Sequence, residues 1–324
     1  MNDLVSIFSP VYNITSRYPG VLERFLDSVS SQTYTNIEVI LVDDGSTDNS
    51  ADICNQWVQR DSRFRLVRHD TNRTINKARE TGFRNSKGRF VFNADPDDLL
   101  HPQVIEIQHA LLTQHPDCQC VIGIGYPFFN DKELDIAPID KPDYETVDQR
   151  EILRRILRSG GHALWNRLYR RELLETIDWD VTRYNDFHLT LQICLNGSKF
   201  IYLKDITYFW IQRELSTTHT DLKFMSTQKF DDFTMEWNRY VHGKHPELYA
   251  DFLYRTYNLL VTGFDRLSDE DKKVWRRKLR EFYNLTWRDY VKCDAPLHEK
   301  VSLWWEMHFP QHKPLLSKLK SLLS

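Results

Sequence analysis

Three carboxylates follow a short apolar run in the sequence RFVFNADPDDLL, Arg89–Leu100. They belong to Asp95, Asp97 and Asp98, and the run before them is typical of a buried strand. At about 4 Å and an effective dielectric near 20, two unpaired carboxylates repel each other by about 4 kcal/mol. A divalent cation with oxygen ligands would cancel that repulsion. The alternative is a polar turn in which Asp97 or Asp98 caps the following helix.

Two further polar clusters follow apolar runs, SPVYN at 9–13 and DDGSTD at 43–48. Each cluster alone is also typical of a turn that leads into a helix. Three such clusters, each directly after a predicted strand, favour a common site, because unrelated turns would be scattered over both ends of a sheet. In parallel α/β sheets, ligands bind at the carboxyl ends of the strands.

The elements that must position these clusters alternate along the first 125 residues. Five apolar runs are predicted as strands: Leu4–Ser9, Ile37–Val42, Phe64–His69, Arg89–Ala94 and Cys118–Gly125. Four stretches between them have helical spacing: Pro19–Gln32, Thr47–Arg60, Thr74–Ser86 and Pro102–Gln114. The pattern predicts an α/β fold with a mainly parallel sheet flanked by helices.

The rest of the chain is predicted to add a second half to this domain and a helical appendage. Residues 126–147 are interpreted as a loop or hairpin insertion, and KFIYLKDITYFWIQR at 199–213 as two strands. Long polar helices with many aromatic residues follow Asp221, without catalytic spacing. The predicted domains are 1–221, with halves meeting near residue 125, and a C-terminal helical region at 222–324.

Composition excludes several classes of protein. With 324 residues, of which 41% are hydrophobic, the chain is long enough for a large core. A net charge of −3 argues against a general nucleic-acid-binding protein. Five cysteines form no CxxC pair and predict reduced thiols in the cytoplasm. The sequence contains no secretory signal pattern and no apolar run of about 18 residues that would span a membrane.

Six motifs in order resemble the family 2 glycosyltransferases of the GT-A fold. They are SPVYN, SQTYTNIEVILVDDGSTDNS, ADPDD, WNRLYRREL, YNDFHLTLQIC and WIQRELSTTH, and the likeness covers about residues 1–220. The resemblance implies transfer of a sugar from a nucleotide diphosphate donor, with UDP favoured, and inversion at the anomeric carbon. It also implies a divalent cation, Mn²⁺ or Mg²⁺. A cation at the diphosphate is what a charged leaving group requires.

The resemblance assigns roles around the metal and the nucleobase. Asp97 is the first choice of metal ligand; Asp95 and Asp98 are either further ligands or contacts to the donor ribose or sugar. Asp44 resembles the carboxylate that binds the base, which would be either uracil or thymine, through an imide N–H, or guanine. The remaining assignments are Asp43 as its neighbour, Pro10 and Tyr12 as the lining of the base pocket, Asn13 nearby, and His219 at the metal or diphosphate.

The catalytic base of the family matches Asp186, although the usual ED pair is ND here, and a helix cap is the alternative role. Arg213 and Ser216 resemble a segment that contacts the diphosphate. Arg79, in ARETG where the family has ARNxG, is expected to face the diphosphate. Arg73 and Lys77 are further diphosphate candidates, or solvated helix charges. Trp165 and Asn166 resemble the floor of the acceptor side.

The last eleven residues, PLLSKLKSLLS, form an amphipathic stripe with two lysines beside it. The stripe predicts either peripheral contact with the inner face of the cell membrane or docking on the domain or on a second copy of the chain. The family suggests a glycan or lipid-linked acceptor and a role in bacterial surface polysaccharide synthesis. The alternatives are a non-catalytic sugar-nucleotide binding protein and a nucleotidyltransferase, which would need a glycine-rich basic loop that SPVYNITSRYPG does not provide.

Overall fold

The computed structural model describes residues 3–129, 134, 136–159, 163–180, 185–212, 231, 234–261 and 268–308. The chain divides into two compact units. The first comprises Met1–Ile152 and His162–Ser216, and the second comprises Leu153–Gly161 and Thr217–Ser324.

The first unit is built on one sheet that has nine strands among the described residues. Its strands are β1 (Val5–Val11), β2 (Ile37–Asp43), β3 (Phe64–Arg68), β4 (Phe90–Asn93), β5 (Leu99–Leu100), β6 (Cys120–Phe129), β7 (Tyr144–Asp148), β8 (Arg167–Arg170) and β9 (Lys199–Gln212). Their order is β3-β2-β1-β4-β8-β6-β9-β5, and β7 pairs with β9. The predicted α/β fold is confirmed, with a mixed sheet.

Parallel pairing joins β3, β2, β1 and β4, so their carboxyl ends share one edge of the sheet. In this register Val11 lies opposite Asp43, and Asp43 lies opposite Arg68. The segments that leave these strands therefore start beside one another. β6 and β9 are also parallel, and the other strand pairs are antiparallel.

Helices of the first unit cover this sheet. They are α1 (Ile14–Arg17), α2 (Val21–Ser30), α3 (Ser50–Arg60), α4 (Ile75–Asn85), α5 (Val104–Gln114), α6 (Gln149–Ser159, whose last seven residues belong to the second unit), α7 (Arg171–Glu175) and α8 (Asn185–Asn196). The apolar faces of α2 and α5 pack with the strands into one core. At Gly82 an added Cβ would lie 2.8 Å from the Cβ of Phe8, so glycine lets α4 lie close to β1.

Two predicted boundaries are wrong. The 199–212 segment is one strand rather than two, because its pairing with β6 continues past register shifts at Gly123–Gly125. The segment at 126–147, predicted as a loop or hairpin insertion, contains strand ends that do not form a hairpin, since β6 runs to Phe129, β7 begins at Tyr144 and both pair with β9.

The second unit is helical, which confirms the predicted C-terminal helices. A π-helical turn (Trp237–Val241) and a 3₁₀ turn (Pro246–Leu248) precede α9 (Tyr249–Val261), α10 (Asp269–Lys292) and α11 (Leu297–His308). Arg158 forms ion pairs with Asp251 and Glu299, each at 2.5 Å. Among the described residues, none of the helices is long and apolar enough to cross a membrane.

Candidate active site

At one end of the parallel strand edge, Asp43 and Asp44 are buried and already hydrogen-bonded. Arg68 Nε donates to Asp43 Oδ2 at 3.0 Å, and the backbone N–H of Ser46 donates to Asp43 Oδ1 at 3.2 Å. Asp44 follows β2, and its backbone N–H donates to the Val11 carbonyl at 2.8 Å. These bonds fix the chain at the point where the sequence predicts a base-binding carboxylate.

The Asp44 carboxylate accepts two hydrogen bonds on the same oxygen. His69 Nδ1 lies 2.6 Å from Asp44 Oδ1, and the backbone N–H of Arg73 donates to that oxygen at 2.9 Å. Gly45 permits this approach, because its φ is +74° and an added Cβ would lie 2.7 Å from the Thr71 carbonyl carbon. We call the cluster of Asp43, Asp44 and His69 the base end.

Three other residues were predicted at the base end: Pro10, Tyr12 and Asn13. Pro10 is buried within β1, and Tyr12 is half-buried. Asn13 adopts φ 48°, and its Oδ1 accepts from the Thr47 backbone N–H at 2.8 Å. The Asn13 backbone N–H donates to Ser46 Oγ at 3.0 Å. Asn13 thus connects the segments that follow β1 and β2.

A buried guanidinium organises the other end of the site. Arg79 on α4 is 1% exposed, and its two terminal nitrogens bond to different carboxylates: Nη1 to Asp186 Oδ1 at 2.5 Å and Nη2 to Asp95 Oδ1 at 3.2 Å. Asp186 lies in the first turn of α8, and Asp95 follows β4. We call Arg79, Asp95, Asp97, Asp98 and Asp186 the carboxylate end.

Arg79 was predicted to face the diphosphate, and in the structure its terminal nitrogens bond to two carboxylates. The side chain is almost fully buried and bonds to both carboxylates, so it positions them. Burial lowers the pKa of Arg79, but the charges of Asp186 and Asp95 outweigh it and raise the pKa above its ordinary value. The guanidinium stays charged.

Burial and neighbouring charges raise the pKa of two carboxyl groups at the carboxylate end. Burial raises the pKa of Asp95 to about 6, aided by the charges of Asp186 and Asp97 and opposed by Arg79. The pKa of Asp98 is also raised well above its ordinary value, first by burial and then by Asp97 and Asp95. The carboxyl groups beside the buried guanidinium therefore hold their protons more readily than exposed ones.

Asp98 points into the sheet. It is 6% exposed, and its Oδ1 accepts from the backbone N–H of Ile211 at 3.1 Å. The Tyr208 hydroxyl oxygen accepts from the Asp95 backbone N–H at 3.0 Å. Asp98 thereby holds the turn that presents Asp97, which is half-buried.

Among the described residues, no group of three or more His, Cys, Asp and Glu side chains is arranged to hold a metal ion. A cation bound by one or two carboxylates and by substrate phosphates needs no such group, and this is the usual manner for Mg²⁺. Asp97 and Asp95 supply the hard oxygen donors that Mn²⁺ and Mg²⁺ prefer, in a place with excess negative charge. The residues present fit a diphosphate-bound cation.

The two residues predicted on the acceptor side differ in exposure. Trp165 is half-buried and stacks on Tyr208, with ring centroids 4.6 Å apart and planes 6° from parallel. Asn166 is 0% exposed; its Nδ2 donates to the Ile124 carbonyl, and its Oδ1 accepts from Gln108 and Thr207. Asn166 therefore has no surface for an acceptor, and it fixes the backbone that carries Trp165.

Three predicted site residues, Arg213, Ser216 and His219, lie outside the described residues, as does the amphipathic tail at 314–324. Lys77 pairs with Glu80 at 3.1 Å on the surface of α4, which agrees with a solvated helix charge. The Arg73 side chain is exposed, and its backbone serves Asp44.

Sequence reasoning missed His69 and Tyr208. Their partners lie 25 and 113 residues away along the chain, at Asp44 and Asp95, and only strand order reveals such pairs. A signal existed for His69, because it ends a predicted strand next to the one that ends at Asp43. No local signal distinguished Tyr208 from a core tyrosine.

The model of glycosyl transferase family 2 matches residues 6–178 of the chain. The glycosyltransferase GlyA of Streptococcus pneumoniae is 30% identical over 220 residues, which are 64% of this chain and 30% of that protein. The glycosyltransferase GlyG of the same organism is 29% identical over 231 residues, which are 68% of this chain and 75% of that protein. The chain thus matches less than a third of the length of GlyA.

Solved structures support the fold. The S. aureus TarS 1–349 complex with UDP-GlcNAc superposes with a TM-score of 0.71 and 19% identity, covering 93% of this chain and 86% of that one. The mannosyltransferase PcManGT of Pyrobaculum calidifontis, in complex with GDP-Man and Mn²⁺, gives a TM-score of 0.52 and 16% identity, covering 96% of this chain and 89% of that one.

Proposed function

The chain belongs to glycosyl transferase family 2 and is a glycosyltransferase, and we propose that it moves a sugar from a UDP-sugar to a hydroxyl group with inversion. The observation that supports this reaction is the pairing of Asp186 with the buried Arg79, 2.5 Å apart, beside Asp95. A carboxylate held in this way can accept a proton without losing its orientation.

Asp186 is the proposed general base. Inversion by direct displacement needs one group that takes the proton of the acceptor hydroxyl as its oxygen attacks the anomeric carbon. The Asp186 side chain is 32% exposed, so one face is open while Arg79 holds the other. The bond to Arg79 fixes the orientation of the Asp186 carboxylate beside Asp95.

The donor is proposed to lie along the strand edge, with its base at Asp44 and its diphosphate near Asp97. Mn²⁺ or Mg²⁺, held by Asp97 with Asp95 beside it, would supply positive charge to the departing diphosphate. Asp98 keeps the Asp97 turn in place through its bond to the Ile211 backbone. Arg213, Ser216 and His219 remain candidates for diphosphate contact.

UDP is the proposed nucleotide because TarS, the neighbour with the higher TM-score of the two, is in complex with UDP-GlcNAc. PcManGT is in complex with GDP-Man and Mn²⁺, which supports a divalent cation. Because the two neighbours bind different nucleobases, the choice between uracil and guanine depends on the residues of this chain. We further propose a catalytic domain at 1–221, with Trp165 on the acceptor side, and a cytoplasmic glycan or lipid-linked acceptor used in surface polysaccharide synthesis.

A thermal-shift screen of nucleotide sugars with and without Mn²⁺ tests the donor. Ligand that binds only the folded state raises the melting temperature, and we expect the largest shift from a UDP-sugar with Mn²⁺. Donor hydrolysis then separates an enzyme from a binding protein. Mn²⁺-dependent release of UDP supports the proposal; binding without any turnover would favour a non-catalytic sugar-nucleotide protein.

A further inference from the structure

We propose that His69 makes Asp44 selective for a base with a single imide N–H, uracil or thymine, and against guanine. This inference rests on the proposed function, because it takes Asp44 as the carboxylate that binds the donor base. It assigns a specificity-determining role to His69, a positioning residue that acts through Asp44.

The first step is that one oxygen of Asp44 is fully used. A carboxylate oxygen offers about two lone pairs to donors. Asp44 Oδ1 receives His69 Nδ1 at 2.6 Å and the Arg73 backbone N–H at 2.9 Å. No lone pair of Oδ1 is left for a base.

The second step is that the tautomer of His69 is determined by its partners. Because an ionised carboxylate only accepts, Nδ1 of His69 must donate to Asp44. Nε2 lies 3.0 Å from Thr81 Oγ1, so the Thr81 hydroxyl donates to it when the imidazole is neutral. The His69 side chain is 6% exposed, and both of its ring nitrogens are hydrogen-bonded to side chains of the protein. Asp44, His69 and Thr81 form a chain of hydrogen-bonded side chains.

The third step is that the second donor is also fixed in place. The backbone at Thr71 and Asn72 passes so close to Gly45 that a Cβ there would lie 2.7 to 2.8 Å from it. Real Cβ atoms do not tolerate that distance, so glycine is required for the Arg73 N–H to reach Asp44. The closure of Oδ1 therefore depends on two separate segments, the end of β3 and the 71–73 loop.

Oδ2 remains for the ligand. Among the residues that the structure describes, the hydrogen bonds to the Asp44 carboxylate all go to Oδ1. Oδ2 does not belong to the buried oxygen atoms that lack a hydrogen-bond partner, so it keeps some surface for a ligand. The side chain is 3% exposed, so the opening to Oδ2 is narrow. One accessible acceptor suits a ligand with one donor.

Uracil and thymine present one N–H, at N3, between two carbonyl groups. Guanine presents N1–H and an amino group side by side, a pair that needs both oxygens of a carboxylate. With both lone pairs of Oδ1 occupied, one of the two guanine donors would have no acceptor on Asp44. An unmade hydrogen bond of this kind lowers affinity by about 10- to 100-fold.

Isothermal titration of the full chain with UDP, dTDP and GDP in the presence of Mn²⁺ tests the inference. For the wild type we expect UDP and dTDP to bind at least about 10-fold more tightly than GDP. His69→Ala frees Oδ1, so the preference for UDP over GDP should fall by about 10-fold. His69→Asn places an amide N–H near the position of Nδ1 and should retain most of the preference.

The matched control is His109→Ala. His109 is another buried histidine of the first unit, 3.3 Å from the Tyr34 hydroxyl, and it lies away from Asp44. This variant should lose stability without changing the UDP to GDP ratio. A wild type that binds GDP as tightly as UDP overturns the inference, as does a folded His69→Ala protein with an unchanged ratio; in both cases the proposed function stands. A wild type that binds none of the nucleotides overturns both.

Discussion

The base end and the carboxylate end of the site occupy the same sheet edge but hold their carboxylates differently. At the base end, Asp43 pairs with Arg68 and Asp44 with His69, so each carboxylate has its own partner. At the carboxylate end, Arg79 is shared by Asp186 and Asp95, and two further aspartates lie in the same turn. Each carboxylate of the base end has a separate hydrogen-bond partner, whereas two carboxylates of the other end share one guanidinium.

The difference indicates which interactions the protein forms by itself and which are left to the bound donor. A base needs an acceptor of fixed direction, and Asp44 is held in one by bonds within the chain. A diphosphate would bring more negative charge, which the proposed cation at the carboxylate end would offset. Without such an ion, burial, together with the charges of Asp186 and Asp97, raises the pKa of Asp95 to about 6.

The largest expected effect is at Asp186. Asp186→Asn keeps the shape and a hydrogen bond to Arg79 but removes the proton acceptor, so donor turnover should fall by about 10²- to 10⁴-fold while UDP binding is retained. Turnover is measured as release of UDP. The control is Asp180→Asn, an 86% exposed carboxylate. Near-normal turnover of Asp186→Asn would reject this residue as the base.

A smaller effect is expected at Arg79, because lysine keeps the charge but cannot bridge two carboxylates. Arg79→Lys should lower kcat by about 10- to 100-fold with less than about a 3-fold change in UDP affinity. Arg84→Lys, on the same helix and 57% exposed, is the matched control. If Arg79→Lys weakens UDP binding and leaves kcat intact, Arg79 contacts the donor as the sequence predicted.

The pH dependence of stability should reveal the charge at the carboxylate end. The pKa of Asp95 is raised from 3.8 to about 6 in the folded chain, so between these values the folded state holds a proton that the unfolded state has released. The free energy of unfolding of the metal-free protein should therefore fall by about 1–3 kcal/mol as pH rises from 4 to 6. Urea unfolding of wild type and Asp95→Asn measures it. An equal slope in both proteins would remove Asp95 as the cause.

The smallest effect is expected at the base end, at Asn13. Asn13→Ala loses the bond to Thr47 and strains a backbone with φ 48°, so unfolding should become easier by about 1–2 kcal/mol. Asn13→Gly removes the same amide without the strain and should cost less. Donor KM should change by less than about 3-fold in both variants. A change above 10-fold would place Asn13 in contact with the donor.

Sequence reasoning placed the candidate carboxylates at one sheet edge because strand ends are local features. The acids at 43–44 and 95–98 follow apolar runs, and parallel strand order brings their ends to one edge. It did not predict which carboxylate does what, since that depends on contacts between distant segments. Arg79 reaches Asp186 across 107 positions, and Asp98 reaches Ile211 across 113. β9 was predicted as two strands because its apolar pattern is interrupted where its pairing with β6 shifts register.

Binding of Mn²⁺ followed by electron paramagnetic resonance, with UDP present, tests the central claim that the carboxylate end is completed by a cation. We predict one Mn²⁺ per chain, affinity at least about 10-fold weaker in Asp97→Asn, and unchanged affinity in Asp43→Asn at the base end. Failure of the wild type to bind Mn²⁺ with UDP, or equal weakening in both variants, would contradict the account.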